Sequence, residues 1–374
     1  MSSDFIPVNN PKFSGNEKKY LEECITSGWI SSEGPFVKKF ENEFAKLVDR
    51  QYGVAVSNGT AALDIAIEAL RLGPGDEVIM PSFTIISCIH QIIRSGAKPI
   101  LVDSDENTWN MDTSQIERLI TTKTKAIMVV HIFGLPVDID PIIKIAKDNN
   151  LKVIEDAAQM IGQKYKGKPC GSFGDISTFS FYPNKNITSG EGGMIVVNDK
   201  DLYNDCLSLR NLCFQDEDRF VHHRLGWNYR MTNLQAAIGL AQLEYVNDTT
   251  QRKIDIGNYY LNELRDVKNL TLPNPNTSYA QNIFWVFGVV ISDKFPINAK
   301  DAIRLLAEKN IGTRPFFYPL HQQPILKKLG FFHELELPVS ENLYKKGFYI
   351  PTGPGLSQNN LKTVVDALKK VFNG

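Results

Sequence analysis

Two side chains carry the clearest chemical statement in this chain, Lys185 and Asp156. Lys185 lies in Ser180-Phe181-Tyr182-Pro183-Asn184-Lys185-Asn186-Ile187-Thr188-Ser189-Gly190-Glu191-Gly192-Gly193, a glycine-rich stretch. Asp156 ends an apolar run upstream and opens into Ala157-Ala158-Gln159. A lysine amine can condense with an aldehyde, and a carboxylate can keep a pyridine nitrogen protonated, so together they suit pyridoxal phosphate (PLP). Each has an ordinary alternative: a lysine beside glycines is commonly a solvated surface residue, and an aspartate after a strand is commonly a helix cap. The pairing outweighs both, because a carboxylate ~3 Å from a pyridinium gains roughly 5 kcal/mol at an effective dielectric of ~20, before desolvation.

Other residues fit around that pair. Gln159, three positions beyond Asp156, is placed to hydrogen-bond a ring hydroxyl. Ser57-Asn58-Gly59-Thr60 follows a predicted strand and opens a predicted helix, whose free amides make an anion site. Simple helix capping by Asn58 is compatible with that use. Ser180 adds a hydroxyl. The stretches Gly226-Trp227-Asn228-Tyr229-Arg230 and Arg314-Pro315-Phe316-Phe317-Tyr318-Pro319-Leu320-His321 set arginines among aromatic side chains, a setting that serves either surface stacking or a bidentate carboxylate clamp. The six histidines have no metal-ligand spacing, so no metal is expected.

The elements that must position these residues are read from periodicity. Strands are predicted at Tyr52–Val56, Glu77–Met80, Pro99–Val102, Ala126–Val130, Lys152–Glu155, Ile176–Phe181 and Met194–Val197, with helices between several of them, such as Thr60–Leu72 and Ile139–Asp148. Valine- and isoleucine-rich strands alternating with helices predict an α/β fold around a mostly parallel, buried sheet. Such sheets bind ligands at the carboxyl ends of their strands, where Asn58, Ser82 and Asp156 fall. One long helix is predicted from Asn233 to about Leu261. A strand over Trp285–Ile291, a helix over Lys300–Asn310, another strand and a final helix over Gln358–Phe372 predict a smaller α/β unit. The expected division is a large unit with the N-terminal segment over 1–250 and a small C-terminal unit over 251–374.

Composition narrows the function classes. The 41 Lys and Arg nearly balance 42 Asp and Glu, for a net charge of −1, which argues against a dedicated nucleic-acid or membrane-surface binder. Five scattered cysteines without a Cys-x-x-Cys pair indicate neither a disulfide framework nor a zinc site. No basic region followed by an apolar core opens the chain, and the most apolar run, near residues 126–137, is too short to span a bilayer. A reduced, cytoplasmic compartment is the expectation.

Asn58-Gly59-Thr60, Glu155–Gln159, Ser180–Gly193, Gly226–Arg230 and Pro351-Thr352-Gly353-Pro354-Gly355 resemble, in order and over essentially the whole chain, the PLP-dependent sugar-nucleotide aminotransferases of the DegT–StrS family. The resemblance implies the type I aminotransferase fold, with Lys185 as the cofactor-bonded lysine, Asp156 as the pyridine partner and Gln159 at the ring hydroxyl. It implies Gly59, Thr60 and Ser180 at the phosphate, Asn228 reaching in from a second subunit, and so a homodimer with shared sites. Glutamate and a nucleotide-linked keto sugar are the implied substrates. The stretches Gly28–Gly34, with Trp29, and Thr313–His321, with Arg314, Tyr318 and His321, are similar to members that aminate C4 of a GDP-linked 4-keto-6-deoxymannose; Trp29, Arg230, Arg314, Tyr318 and His321 are the expected substrate contacts. In one respect the chain departs from the family: an aromatic that often stacks on the cofactor ring is here Ile85, leaving Phe83 or an aliphatic side chain to cover it. Where some relatives carry histidine and act as dehydrases, this chain keeps Lys185. A non-catalytic sensor on the same fold is disfavoured, since both the lysine and the aspartate are present.

Overall fold

The computed structural model describes residues 5–215 and 217–372. Its centre is a seven-stranded sheet built from β1 (Tyr52–Val56), β2 (Glu77–Pro81), β3 (Lys98–Val102), β4 (Thr124–Val130), β5 (Lys152–Asp156), β8 (Ile176–Ser180) and β9 (Gly193–Val197), with a small hairpin of β6 (Lys164–Tyr165) and β7 (Lys168–Pro169) inserted between β5 and β8. The order across the sheet is β1-β9-β8-β5-β4-β2-β3. Strands β8, β5, β4, β2 and β3 pair in parallel, whereas β9 is antiparallel to both its neighbours. The central strands are buried on both faces, as their unbroken apolar runs require.

Helices cover each face. Against one side lie α3 (Gly59–Ala69), α4 (Ser87–Arg94) and α6 (Lys200–Arg210), packed with Val54, Met80 and Ile195. The other side carries α1 (Glu17–Ser27), α2 (Pro35–Leu47), α5 (Ile139–Asp148) and α7 (Asn233–Leu243). In α2 the spacing of Phe36, Phe40 and Phe44 puts three rings on one stripe. Phe40 and Phe44 lie 4.9 Å and 5.1 Å, centroid to centroid, from Phe181, which fixes the start of the lysine loop.

The single helix expected over 233–261 is two, α7 and α8 (Val246–Leu264), with Tyr245 leaving helical geometry between them. No proline or glycine marks the break. Its cause is tertiary: Ala236 and Ala237 of α7 pack in the core of the large sheet, while Ile256, Tyr260 and Leu264 of α8 pack in a different core. One straight axis cannot serve both.

That second core belongs to a four-stranded antiparallel sheet, β10 (Leu270–Thr271), β11 (Phe287–Ile291), β12 (Arg314–Pro315) and β13 (Gly347–Ile350), in the order β10-β11-β13-β12. Around it pack α8, α9 (Ala299–Ala307), α11 (Pro338–Lys346) and α12 (Gln358–Phe372), whereas Leu326 of the short α10 (Pro324–Lys328) joins the core of the large sheet. Asn298 starts α9 with a reciprocal capping box to Asp301. The opening segment, expected with the large unit, instead pairs with the small one: Ile6 bridges Ile311 and is buried in the small core, and Thr352 N–H donates to Val8 O. Among the described residues, no helix is long and apolar enough to cross a membrane, and no group of three or more His, Cys, Asp or Glu is arranged to hold a metal ion.

Candidate active site

A cavity of about 580 Å³ opens where the carboxyl ends of β1, β2, β4, β5 and β8 meet the small sheet. Its wall includes Lys185, Asp156, Gln159, Gly59, Thr60 and Ser180. Residues from distant parts of the sequence converge there because parallel strands end on one edge.

Asp156 is the last residue of β5, and the two-residue period of a strand turns it away from its neighbour Glu155. Its Oδ1 accepts from Ala158 N–H at 3.0 Å and its Oδ2 from Cys88 Sγ–H at 3.3 Å. Burial raises the carboxyl above its usual range, with the Ala158 amide opposing. Among the described residues this buried acid, held by two neutral donors, closes no ion pair, and a protonated pyridine would supply one. Thr178, register partner of Asp156 on β8, lines the cavity with its Oγ1 buried and unpartnered.

Glu155, on the opposite face, has a structural role. Its carboxylate accepts from the amides of Phe173 (3.0 Å) and Gly174 (3.1 Å), from Ser177 Oγ (3.1 Å) and from His131 Nε2 (3.2 Å). His131 Nδ1 accepts from Val137 N–H, so Nε2 carries the ring proton. Burial alone would raise Glu155; the His131 bond and the loop amides outweigh it and hold the carboxyl below its usual range.

Asn58 caps α3, its Oδ1 accepting from Ala61 N–H at 2.8 Å. The amides of Gly59 and Thr60 therefore remain at an open helix start facing the cavity, an anion site by geometry and dipole. A Cβ on Gly59 would stand 2.9 Å from Cβ of Ser180, so the cradle is closed to any larger residue. Thr60 Oγ1 and Ser87 Oγ lie 2.9 Å apart beside it. Gln159 Oε1 accepts from Phe133 N–H at 2.6 Å, leaving the Gln159 amide NH2 as the donor toward the cavity.

Lys185 sits on the loop joining β8 to β9. The pair Ser180↔Gly193 closes the base of that loop, Phe181 N–H donates to Gly192 O, and Thr188 Oγ1 donates to Phe181 O. Asn186 Nδ2 anchors it to Ile161 O at 2.9 Å. The Lys185 amine lies 3.9 Å from the ring centroid of Trp285. Burial brings its pKa down to about 8, against the opposing pull of Asp156.

The remaining expected residues are placed less uniformly. Phe83 does not line the cavity; it is fully buried against Phe133, Phe316 and Phe317 at the seam between the sheets, while Ile85 faces the cavity. His321 is also buried, Nδ1 2.8 Å from Ser82 Oγ and Nε2 3.0 Å from Glu341 Oε1, so in this conformation it ties the two units together. Tyr318 packs edge-on against Tyr344, outside the cavity wall. Arg314 is exposed on β12, opposite the cavity-lining Tyr349. Arg230 donates to Asn211 Oδ1 at 2.6 Å, and Asn228 bridges the same Asn211; neither lines this cavity. Trp29 lies on a separate shallow groove with Phe36 and Asn233. Sequence reasoning missed Thr178, Trp285 and Cys88 at the site; Trp285 reads as an ordinary strand residue, and nothing local distinguishes the other two.

A lysine and an aspartate in one cavity, with a helix start on the same wall, fit a PLP site on a two-unit α/β scaffold. The model of the DegT/DnrJ/EryC1/StrS aminotransferase family matches residues 11–369, and the chain belongs to that family. It is 43% identical to the GDP-perosamine synthase of Escherichia coli O157:H7 over 99% of each chain. Its fold superimposes on the aminotransferase from Psychrobacter cryohalolentis with a TM-score of 0.91 at 31% identity, covering 99% of both. The Streptococcus pneumoniae sugar aminotransferase Spr1654 in its PLP form gives 0.90 at 25% identity, again over 99% of both. The protein is a PLP-dependent sugar-nucleotide aminotransferase.

Proposed function

We propose that this enzyme moves an amino group from glutamate to C4 of GDP-4-keto-6-deoxymannose, giving GDP-perosamine. The observation that carries the chemistry is the placement of Lys185 and Asp156 on one cavity wall. The substrate follows from the 43% full-length identity to a GDP-perosamine synthase.

The cofactor supplies an aldehyde that takes up the amino group and a ring that withdraws electrons while a C–H bond breaks. The chain does the rest. Asp156 would keep the ring nitrogen protonated, Gln159 would donate to the ring hydroxyl, and the start of α3 with Gly59, Thr60 and Ser180 would hold the phosphate. Lys185 would hold the aldehyde and, as a free amine, would take the proton from glutamate Cα. It later delivers a proton to sugar C4. An amine brought down to about 8 by burial exchanges protons readily near neutral pH.

A homodimer completes this reading. Phe220 and Leu225 are 80% and 90% exposed on the loop that leads to Asn228, an apolar display suited to a second copy. Asn228 then reaches a partner's phosphate rather than its own, and Trp29, Arg230, Arg314 and Tyr318 remain the sugar-nucleotide contacts to test.

The experiment is an assay of 2-oxoglutarate release with glutamate and each of three 4-keto-6-deoxy sugars, linked to GDP, dTDP or UDP. Turnover on the GDP sugar alone is expected, with perosamine identified in the product by NMR. Turnover confined to a dTDP or UDP sugar would replace the substrate while leaving the aminotransfer chemistry in place.

A further inference from the structure

Trp285 stands just before β11 in the small unit yet contacts the lysine loop of the large one, and unlike restraints converge on it. Phe284, immediately before it, has φ +48°, the left-handed region that a bulky residue enters only under constraint. That turn is held by Asn282 Oδ1, which accepts from Phe284 N–H at 2.7 Å. On the other side, Gly134 allows the close approach, since a Cβ there would lie 2.5 Å from Trp285 N. The indole Nε1–H donates to the carbonyl of Asn184, next to Lys185, at 2.8 Å. Finally, Trp285 O accepts from Nζ of Lys253, a fully buried lysine on α8, at 2.9 Å. Backbone strain and a buried amine are both unfavourable in isolation. Here they fix one indole ring so that its face lies 3.9 Å, centroid to nitrogen, from the Lys185 amine.

We propose that Trp285 is a positioning residue for Lys185: its indole face holds the lysine's ammonium whenever that amine is not bonded to the cofactor. An ammonium over an indole face is attracted by the ring quadrupole, most strongly where water is excluded. The lysine released by the amino donor then has a fixed resting place instead of rotating freely, and it returns from one direction. This rests on the reading of Lys185 as the cofactor-binding amine.

The charge balance of the wall agrees. Asp156 and Cys88 face Lys185 from β5 and α4, and Lys253 from α8; Asp64, His90, Tyr182, Glu191, Tyr229 and Tyr349 line the same cavity. Burial, followed by the charge of Lys185, brings Lys253 down to about 7, against about 8 for Lys185.

The test is the pH dependence of acetylation at Lys185 in the full-length protein freed of cofactor, measured by mass spectrometry against the exposed Lys147. Wild-type reactivity should rise through about pH 8. Trp285→Leu should move that midpoint down by about 0.5–1 pH unit, because the protonated amine loses its partner. Trp285→Phe, with a weaker ring face, should move it less and in the same direction. A midpoint unmoved in Trp285→Leu overturns the proposal; if that variant does not fold, an unmoved midpoint in Trp285→Phe does. Uptake of pyridoxal phosphate by the wild type, followed by its absorbance, is measured in parallel. If Lys185 does not become protected on uptake, the reading of Lys185 itself fails, a result distinct from an unmoved midpoint.

Discussion

Glu155 and Asp156 are consecutive on β5 and point to opposite faces of the sheet. Glu155 is fully enclosed by the amides of Phe173 and Gly174, by Ser177 and by His131. Asp156 looks into the cavity, its carboxylate accepting from the Ala158 amide and the Cys88 thiol. One carboxylate builds the wall and the other faces the cavity, so substitutions at the two positions should fail differently. Asp156→Asn should fold normally and lose about 10²–10³ in kcat, the scale of a missing preorganised electrostatic partner. Glu155→Gln should instead lower the thermal midpoint, because an amide cannot accept from all the donors the carboxylate serves, and a buried donor left unsatisfied costs about 1–3 kcal/mol. Steady-state kinetics beside thermal unfolding separates them; loss of stability in the Asp156 variant with unchanged kcat would reverse the assignment.

Lys185→Ala removes the amine without disturbing the loop, whose anchors are Asn186, Thr188 and the paired strand ends. The variant should bind pyridoxamine phosphate, detectable by its absorbance after desalting, and show no turnover above background. Activity within tenfold of wild type would remove Lys185 from the mechanism.

Gly59→Ala tests the phosphate cradle. The added methyl meets Ser180 Cβ at 2.9 Å, so the helix start or β8 must shift. Retained PLP, titrated by absorbance, should weaken at least roughly tenfold, equivalent to about 1.4 kcal/mol. Ser180→Ala, which removes a hydroxyl without a clash, should weaken it less. Equal affinity for Gly59→Ala and wild type would place the phosphate elsewhere.

Lys253 makes a pH prediction for the cofactor-free protein. Its folded value of about 7 lies below the ~10.4 of an unfolded lysine, so between these limits the unfolded chain binds more protons. The cost of burying it is thus fully present below about pH 7 and fades as pH rises toward 10.4, by up to about 1.4 kcal/mol per pH unit. Lys253→Met abolishes that dependence. Denaturant melts at pH 7, 8 and 9 should show wild type gaining on the variant with rising pH; parallel curves would mean that Lys253 stays charged when folded.

How far the sequence carried the site depends on range. The strands of the large sheet were legible from apolar runs, and Asp156, Lys185 and the Asn58 cap from residues adjacent in the chain. The break at Tyr245 was not, because it satisfies two separate cores and leaves no local mark. Phe83 was misplaced for a related reason: proximity to a strand end does not say which way a ring turns, and the seam with Phe316 and Phe317 claimed it. Trp285 and Lys253 escaped notice since their meaning comes only from a lysine that lies far away in sequence.

The reversed strand β9 has one more consequence. Because it returns antiparallel beside β8, the segment that bears Lys185 is a clasp, fastened at Ser180 and Gly193 and pinned at Asn186. The hinge of the reactive side chain is therefore the side chain itself, its four methylenes swinging from a stationary base. A scaffold of that kind is indifferent to what the tip carries. Exchange of one residue could redirect the reaction while leaving the fold intact, whereas a single inserted residue in the clasp would displace the tip and disable any chemistry placed there.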